Sequence, residues 1–169
     1  MTCVVVNDAS CLIDLRKGRL LHVVLRLPYQ FLVPLPIRND ELLDFTPQEW
    51  RMLEDGGLAT HDLPGGEVAL VMALKREHRG LSVNDCFALV TAAGQKNGIL
   101  LTGDNQLRKV AAKKSVRVHG VLWIIDELHA AEICDTELLI SALEVWRDDR
   151  AVFLPNAEIE KRLRRLLGH

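Results

Sequence analysis

Short runs of β-branched and other apolar residues alternate along the chain with longer stretches that have the apolar period of a helix. This alternation is typical of a parallel sheet whose strands are connected by helices. Each run is nearly continuous in apolar residues, as expected of strands that are covered on both faces. The predicted strands are Cys3–Asn7, Gln30–Val33, Leu58–Asp62, Gly98–Thr102 and Ser115–His119. We therefore predict a three-layer α/β/α fold with a central parallel sheet of about five strands.

Helices are predicted between these strands, and capping residues mark two of their starts. Thr46 precedes Pro47 as an N-cap followed by proline at the first helical position, and Ser82 with Asp85 resembles a capping box. The predicted helices are Ser10–Leu27, Ile37–Phe45, Pro47–Glu54, Gly65–His78, Val83–Lys96 and Asn105–Lys113.

The pattern becomes wholly helical after His119, with helices predicted at Val121–Ala130, Thr136–Arg147 and Asn156–Leu167. A chain of 169 residues is too short for two independent domains of ordinary size. We therefore expect an α/β domain over residues 1–120 and a helical C-terminal extension over residues 121–169 that packs on the same domain.

Composition and charge narrow the class of protein. No run of about 18 apolar residues is present and the N-terminus lacks the features of a signal peptide, so we expect a cytoplasmic protein that does not enter a membrane. The four cysteines are scattered without a Cys-x-x-Cys pair, which favours buried free thiols over disulfides or zinc ligands. The formal net charge of −2 gives no global indication of nucleic-acid binding, so such binding would depend on local basic patches.

Acidic residues stand where two of the predicted strands end. Asp8 closes the first strand, and Asp104 follows the fourth. In an open parallel sheet, ligands bind outside the carboxyl ends of the strands, so both side chains should point into one crevice. Asp85 lies in the first turn of the helix before the fourth strand, and Glu41 lies on the predicted helix after the second strand.

Four carboxylates at one edge of a sheet would repel one another. At a spacing of ~5 Å and an effective dielectric constant of ~20, each pair costs roughly 3 kcal/mol. A bound divalent cation would relieve this repulsion, and an all-oxygen site suits Mg²⁺ or Mn²⁺ rather than zinc. Structural roles stay open as well: Asp8 and Asp104 as Asx-turns or helix N-caps, Asp85 in its capping box, and Glu41 as a surface acid. Glu67 also begins a predicted helix, where its charge suits the helix dipole.

Three segments together resemble the PIN domain family. They are an opening strand with an Asp-x-Ser turn (Val4–Ile13), a helix bearing the third acid (Leu81–Leu89), and a fourth strand with a threonine two positions before the fourth acid (Leu100–Arg108). The similarity extends from about Cys3 to Gly120 in the expected order. Gly66-Glu67 and the helical tail are similar to a subgroup related to toxin ribonucleases of the VapC type.

The resemblance implies a metal-dependent endoribonuclease that hydrolyses RNA with Mg²⁺ or Mn²⁺, in a subgroup that includes the toxins of toxin–antitoxin pairs. The implied metal-binding and catalytic residues are Asp8, Glu41, Asp85 and Asp104, with Thr102, Ser10 and Glu67 in supporting positions. Arg108, one turn beyond Asp104, is expected to contact an RNA phosphate. Asn7 and Asn84 depart from the family pattern and could form a polar network beside the acids.

Two other functions stay open: a non-catalytic PIN-fold interaction module, and a structure-specific DNA nuclease of the flap-cutting kind. A phosphoaspartate phosphatase is disfavoured because it needs a second aspartate two positions after the first, where this chain has Ser10. The six histidines are scattered, and none belongs to a Ser-His-Asp or Cys-His arrangement.

The resemblance also implies a homodimer and an antitoxin protein as a partner. Val121–Ile125 and the following helix carry much apolar surface, which favours an interface with Trp123 and Trp146 as anchors. The alternative is that both tryptophans pack on the protein's own helices. Aromatic residues are few, so the sequence does not indicate stacking of nucleic-acid bases.

Overall fold

The computed structural model describes residues 2–168. Its sheet has five parallel strands, which are β1 (Val4–Asn7), β2 (Gln30–Pro34), β3 (Ala59–His61), β4 (Gly98–Leu101) and β5 (Arg117–His119). The strand order is β3-β2-β1-β4-β5, and Val6 of the central strand pairs with Leu32 on one side and Leu100 on the other. The predicted parallel sheet of five strands is therefore confirmed.

Helices cover both faces of this sheet. They are α1 (Ala9–Lys17), α2 (Leu21–Val24), α3 (Leu35–Asp40), α4 (Pro47–Asp55), α5 (Gly65–Glu77), α6 (Val83–Ala93), α7 (Asn105–Lys113), α8 (Val121–Ala130), α9 (Thr136–Asp148) and α10 (Asn156–Leu167). On one face α6 packs on β1, β2 and β4, beside α5 and α7. On the other, α1 contacts α2, α8 and α9. The predicted three-layer α/β/α fold is confirmed.

The two central strands are buried because their sequences are continuously apolar. Successive residues of a strand point to opposite faces of the sheet. The consecutive residues Val5 and Val6 of β1, like Leu100 and Leu101 of β4, are all 0% exposed. Both faces of the sheet are therefore sealed, and the edge strands β3 and β5 are the ones that remain partly exposed.

The single helix predicted over Ser10–Leu27 is wrong, because the chain breaks into α1 and α2. Gly18 ends α1, and the next residue, Arg19, has a positive φ of 58°. A Cβ at Gly18 would lie 3.0 Å from Cβ of Ala142 and 3.1 Å from the ring of Trp146. The close approach of α9 thus depends on glycine at the end of α1.

The helix predicted over Ile37–Phe45 is misplaced at both ends. In the structure α3 starts directly after Pro34 and ends at Asp40. Leu42 and Phe45 are buried although neither is helical. Their spacing in the sequence matches that of apolar residues on one face of a helix, which explains the wrong prediction. Glu41 therefore lies at the C-terminal end of α3 and not on a helix.

The C-terminal helices share the apolar core of the sheet, since Ile124, Ile125 and Leu143 belong to the same buried cluster as the strand residues. Trp146 is 1% exposed, and its indole N–H donates to the carbonyl of Asp14 at 2.7 Å. Its predicted role as an interface anchor is therefore wrong. Trp123 is partly buried and stacks on a histidine of this protein. Within residues 2–168, none of the helices has the length and apolar character needed to cross a bilayer.

Candidate active site

A cavity of about 430 Å³ opens at the carboxyl ends of β1 and β4. The four predicted acids line it, namely Asp8, Glu41, Asp85 and Asp104. They come from four different elements, which the parallel topology brings to one edge of the sheet. Ser10, in the first turn of α1, also lines the cavity. The juxtaposition expected from the sequence is therefore present in the structure.

Asp8 is the most enclosed of these acids, with 6% of its surface exposed. It follows β1 and caps α1, where its Oδ1 accepts from the backbone N–H of Ala9 at 2.8 Å. Its Oδ2 accepts from the hydroxyl of Thr102 at 2.7 Å. Both carboxylate oxygens are thus held by short hydrogen bonds, which fix the side chain at the cavity wall.

Thr102 supports two of the acids at once. Its side chain is 0% exposed, and besides donating to Asp8 its hydroxyl accepts from the backbone N–H of Asp104 at 3.1 Å. The residue lies directly after β4, and its own N–H donates to the carbonyl of His119 at 3.0 Å. These hydrogen bonds fit the supporting role expected for Thr102. A threonine also suits the extended backbone at the end of a strand.

Asp104 and Asp85 each have a structural role as well as a place in the cavity. Oδ1 of Asp104 accepts from the N–H of Leu107 at 2.8 Å and caps α7. Oδ2 of Asp85 accepts from the N–H of Ser82 at 2.9 Å, which completes the predicted capping box of α6. These bonds use one oxygen of each carboxylate. The capping roles and a ligand role therefore do not exclude one another.

Glu41 reaches the cavity from the end of α3 and is joined there to α6. The side-chain amide of Asn84 donates to Glu41 Oε2 at 3.3 Å and to Asp40 Oδ2 at 3.4 Å. Asn7, in contrast, is buried and donates to the carbonyl of Leu32 at 3.0 Å. The expected polar network therefore exists at Asn84, whereas Asn7 links β1 to β2.

Two other predicted residues lie outside the acid cavity. Glu67 is in the first turn of α5 and lines a separate groove between α5 and α6, so its expected supporting position is wrong and its place suits the helix dipole. Arg108 is exposed on α7 and lines a neighbouring groove of about 500 Å³. That groove shares Gly103, Phe153 and two further residues with the acid cavity, so the two are continuous.

A comparison of the sequence with protein-family models identifies the family of this chain. A family model described as PIN domain matches residues 4–167, and therefore includes both the sheet and the C-terminal helices. The chain belongs to the PIN domain family. No curated protein matches it. PIN domains are typically nucleases and generally bind divalent metals, so a hydrolase of this broad kind is indicated.

Two of the acids of this PIN domain have raised pKa values. Burial raises the pKa of Asp8, and the negative charges of Asp85 and Asp104 raise it further, against the hydrogen bonds from Thr102 and Ala9. Burial also raises the pKa of Glu41, as do the charges of its acidic neighbours. Neighbouring negative charges thus contribute to both shifts, in the direction expected from the sequence, and a cation in the cavity would offset them.

The donor set fits a divalent cation in kind, because the polar ligands on offer are carboxylate oxygens. The acids nevertheless border the cavity without meeting at one point. In residues 2–168, no three histidine, cysteine, aspartate or glutamate side chains are grouped as a ready-made metal site. Asp104 and Glu41 are exposed, and in each of them one carboxylate oxygen accepts a hydrogen bond.

A fifth acid of the PIN domain was missed by the sequence reasoning. Asp14 of α1 lines the same cavity, and burial raises its pKa to about 6, with Asp149 raising and Lys17 lowering it. The available signal was an acid between Ile13 and Leu15 in the apolar stretch of α1. Phe153, an exposed ring at the cavity mouth, had no signal, because its position depends on how the loop after α9 is placed.

Proposed function

We propose that this PIN domain is a metal-dependent endoribonuclease that hydrolyses RNA phosphodiester bonds, with Mg²⁺ or Mn²⁺ as its cofactor. The observation that carries the proposal is the convergence of four carboxylates on one cavity, with the most buried of them held by Thr102. The similarity of Gly66-Glu67 and the helical tail to a subgroup related to VapC-type toxin ribonucleases supports RNA as the substrate.

The residues divide the work according to their positions. Asp8 and Asp104 follow the adjacent strands β1 and β4, and we assign them as the central metal ligands. Asp85 is a further ligand or orients one, and Glu41 is a ligand or accepts a proton from the attacking water. A divalent cation held there acidifies water and neutralises the charge that builds on the phosphate oxygens during attack.

The protein's own contribution is to fix these groups before substrate arrives. Both oxygens of Asp8 are already engaged by Thr102 and Ala9, so this carboxylate does not have to be ordered during the reaction. Arg108 stands beside the cavity on α7, where it can hold a phosphate of the RNA chain.

Cleavage by the full chain of three substrates tests this proposal: single-stranded RNA, structured RNA and flapped DNA. We expect RNA cleavage that requires Mg²⁺ or Mn²⁺, stops with a chelator and is lost in Asp8→Asn. Cleavage of flapped DNA alone would favour a structure-specific DNA nuclease. No metal-dependent cleavage of any substrate would favour a non-catalytic interaction module.

We further propose that the enzyme is the toxin of a toxin–antitoxin pair and binds an antitoxin protein. The support is the similarity of Gly66-Glu67 and the helical tail to the VapC-type subgroup. Expression of the protein in a bacterial host should arrest growth, and Asp8→Asn should remove the arrest. Co-expression of the product of a neighbouring gene should restore growth if that gene encodes the antitoxin. Unimpaired growth with the active enzyme would contradict a toxin role.

A further inference from the structure

Phe153 is 87% exposed, more than any other large apolar residue in the described range 2–168. It lies in the loop between α9 and α10 and lines both the acid cavity and the neighbouring groove that contains Arg108. A single exposed apolar side chain needs no explanation in general. An aromatic ring at the junction of two clefts lined by charged side chains is different, because a ligand that extends from one cleft into the other comes close to it.

The loop that carries Phe153 is anchored on the N-terminal side of the ring. Asp149 forms an ion pair with Lys17 at 3.1 Å, and its Oδ1 accepts from the N–H of Ala151 at 2.8 Å. Val152 is 8% exposed and belongs to the core, so the chain points one apolar side chain inward and the next outward. These contacts hold the backbone up to Val152, and the ring of Phe153 lies outside the core.

The groove beside the ring carries a cation that no carboxylate neutralises. Arg162 is paired with Asp126 at 2.7 Å and with Glu158 at 3.0 Å, so its charge is already balanced. Arg108 is exposed, and among residues 2–168 no carboxylate oxygen lies within 4.0 Å of its guanidinium. Arg108 can therefore bind an anionic group without first breaking an ion pair.

Two aromatic rings also line this groove. His119 stacks on Trp123 with ring centroids 4.3 Å apart and an angle of 12° between the planes. Burial and the charges of Arg117 and Arg108 lower the pKa of His119, so its ring is neutral near neutral pH. Among residues 2–168, the groove thus combines an uncharged aromatic wall, an arginine without a carboxylate partner and a volume of about 500 Å³.

We infer that this groove holds an unpaired nucleotide of the substrate next to the bond that is cut, with its base stacked on Phe153 and its phosphate paired with Arg108. A base within a duplex is already stacked on its neighbours, so a base can reach the ring only from a single strand or a loop. The inference rests on the proposed function and narrows its substrate class to single-stranded RNA.

Binding of a short fluorescein-labelled single-stranded RNA, followed by fluorescence anisotropy in the Asp104→Asn background, tests the inference without cleavage. Phe153→Ala should weaken binding about tenfold, as loss of one stacked base does, and Phe153→Trp should restore it. Arg108→Ala should weaken binding and reduce its dependence on salt. The matched controls are Leu70→Ala, another exposed apolar residue, and Lys109→Ala, the neighbour of Arg108 on α7. Both should bind as the background protein does.

Two further arms separate stacking from a general effect. A duplex of the same sequence should bind equally well with and without Phe153→Ala. A series of RNAs, each with one abasic site at a different position, identifies the stacked base. At one position the abasic site should weaken binding as much as Phe153→Ala does. The abasic RNA and the Phe153→Ala protein together should show no further loss of affinity. Equal affinity of Phe153→Ala and its background for single-stranded RNA would overturn the inference, even if the wild-type protein cleaves RNA. Absence of cleavage by the wild type would instead count against the proposed function.

Discussion

The hydroxyl of Thr102 donates a 2.7 Å hydrogen bond to the buried carboxylate of Asp8 and joins the end of β4 to the end of β1. Thr102→Val keeps the shape of the side chain and removes this donor. We expect a loss of about 1–2 kcal/mol in the free energy of unfolding near neutral pH, since a buried carboxylate loses a partner. Cleavage should fall as well, because Asp8 is no longer held.

Thr102→Ser is the matched control for this change, since it retains the hydroxyl and removes only a methyl group. Urea unfolding measures the stability of the three proteins, and cleavage rates measure their activity. Wild type and Thr102→Ser should both be much more active than Thr102→Val. Equal activity of Thr102→Val and wild type would show that the hydrogen bond to Asp8 does not matter for the site.

Metal binding should stabilise the protein by relieving repulsion among the acids of the cavity. We expect millimolar Mn²⁺ or Mg²⁺ to raise the melting temperature, and Asp8→Asn to reduce the rise. Because burial and neighbouring acids raise the pKa values of Asp8 and Glu41, protons compete with the cation, so the rise should shrink as the pH is lowered. A melting temperature that does not respond to either metal would contradict a cation site in the cavity.

Asp14 should lower stability when it is ionised. Its pKa of about 6 in the folded protein lies above the ordinary value of 3.8, so the folded state binds a proton more tightly and stability from this group increases as pH falls from above 6 toward 4. The full shift corresponds to about 3 kcal/mol, and partial contact with solvent reduces it. Asp14→Asn should therefore stabilise the protein by about 1–2 kcal/mol near pH 8 and by little near pH 4.

Chemical denaturation of Asp14→Asn and wild type at several pH values measures this difference. Asp149→Asn is a useful comparison, because its pKa is lowered by the N–H of Ala151 and by Lys17, and its removal should destabilise the loop after α9. A stabilisation by Asp14→Asn that does not depend on pH would contradict the assignment.

The positions of the acids could be predicted because topology fixes them. Once β1 and β4 are recognised as parallel strands, residues at their carboxyl ends must share an edge of the sheet, and the adjacency of the two strands brings Asp8 and Asp104 to the same cavity. The position of Thr102 directly after β4 places its hydroxyl at the same edge of the sheet, where it donates to Asp8. Sequence spacing, in contrast, could not show that Arg19 breaks the first helix, because that break depends on the contact of Gly18 with α9.

The roles of residues that depend on the packing of the C-terminal helices could not be predicted from the sequence for the same reason. Trp146 looked like surplus apolar surface, and only the packing of α9 on α1 shows that it is buried. No sequence pattern distinguishes Phe153, and the turn at Asp149 exposes it. Long-range packing, which no local pattern encodes, decided both.

A homodimer remains a prediction that follows from the family resemblance alone, since the apolar surface first invoked for it is mostly buried within the protein. Sedimentation equilibrium at micromolar concentration should give twice the chain mass of 19.0 kDa. A strict monomer would contradict the dimer and leave the nuclease proposal unaffected.

The most direct test of the central claim compares RNA cleavage by wild type, Asp104→Asn and Asp104→Ala in the presence of Mn²⁺. Asn can still accept from the N–H of Leu107 and cap α7, whereas Ala loses the cap and about 1 kcal/mol of stability. We predict that the wild type cleaves, that both variants lose metal-dependent cleavage, and that Asp104→Asn unfolds like the wild type. Asp104 would be a structural residue if Asp104→Asn retained metal-dependent cleavage and only Asp104→Ala, which lacks the cap, lost it. That result would contradict the account.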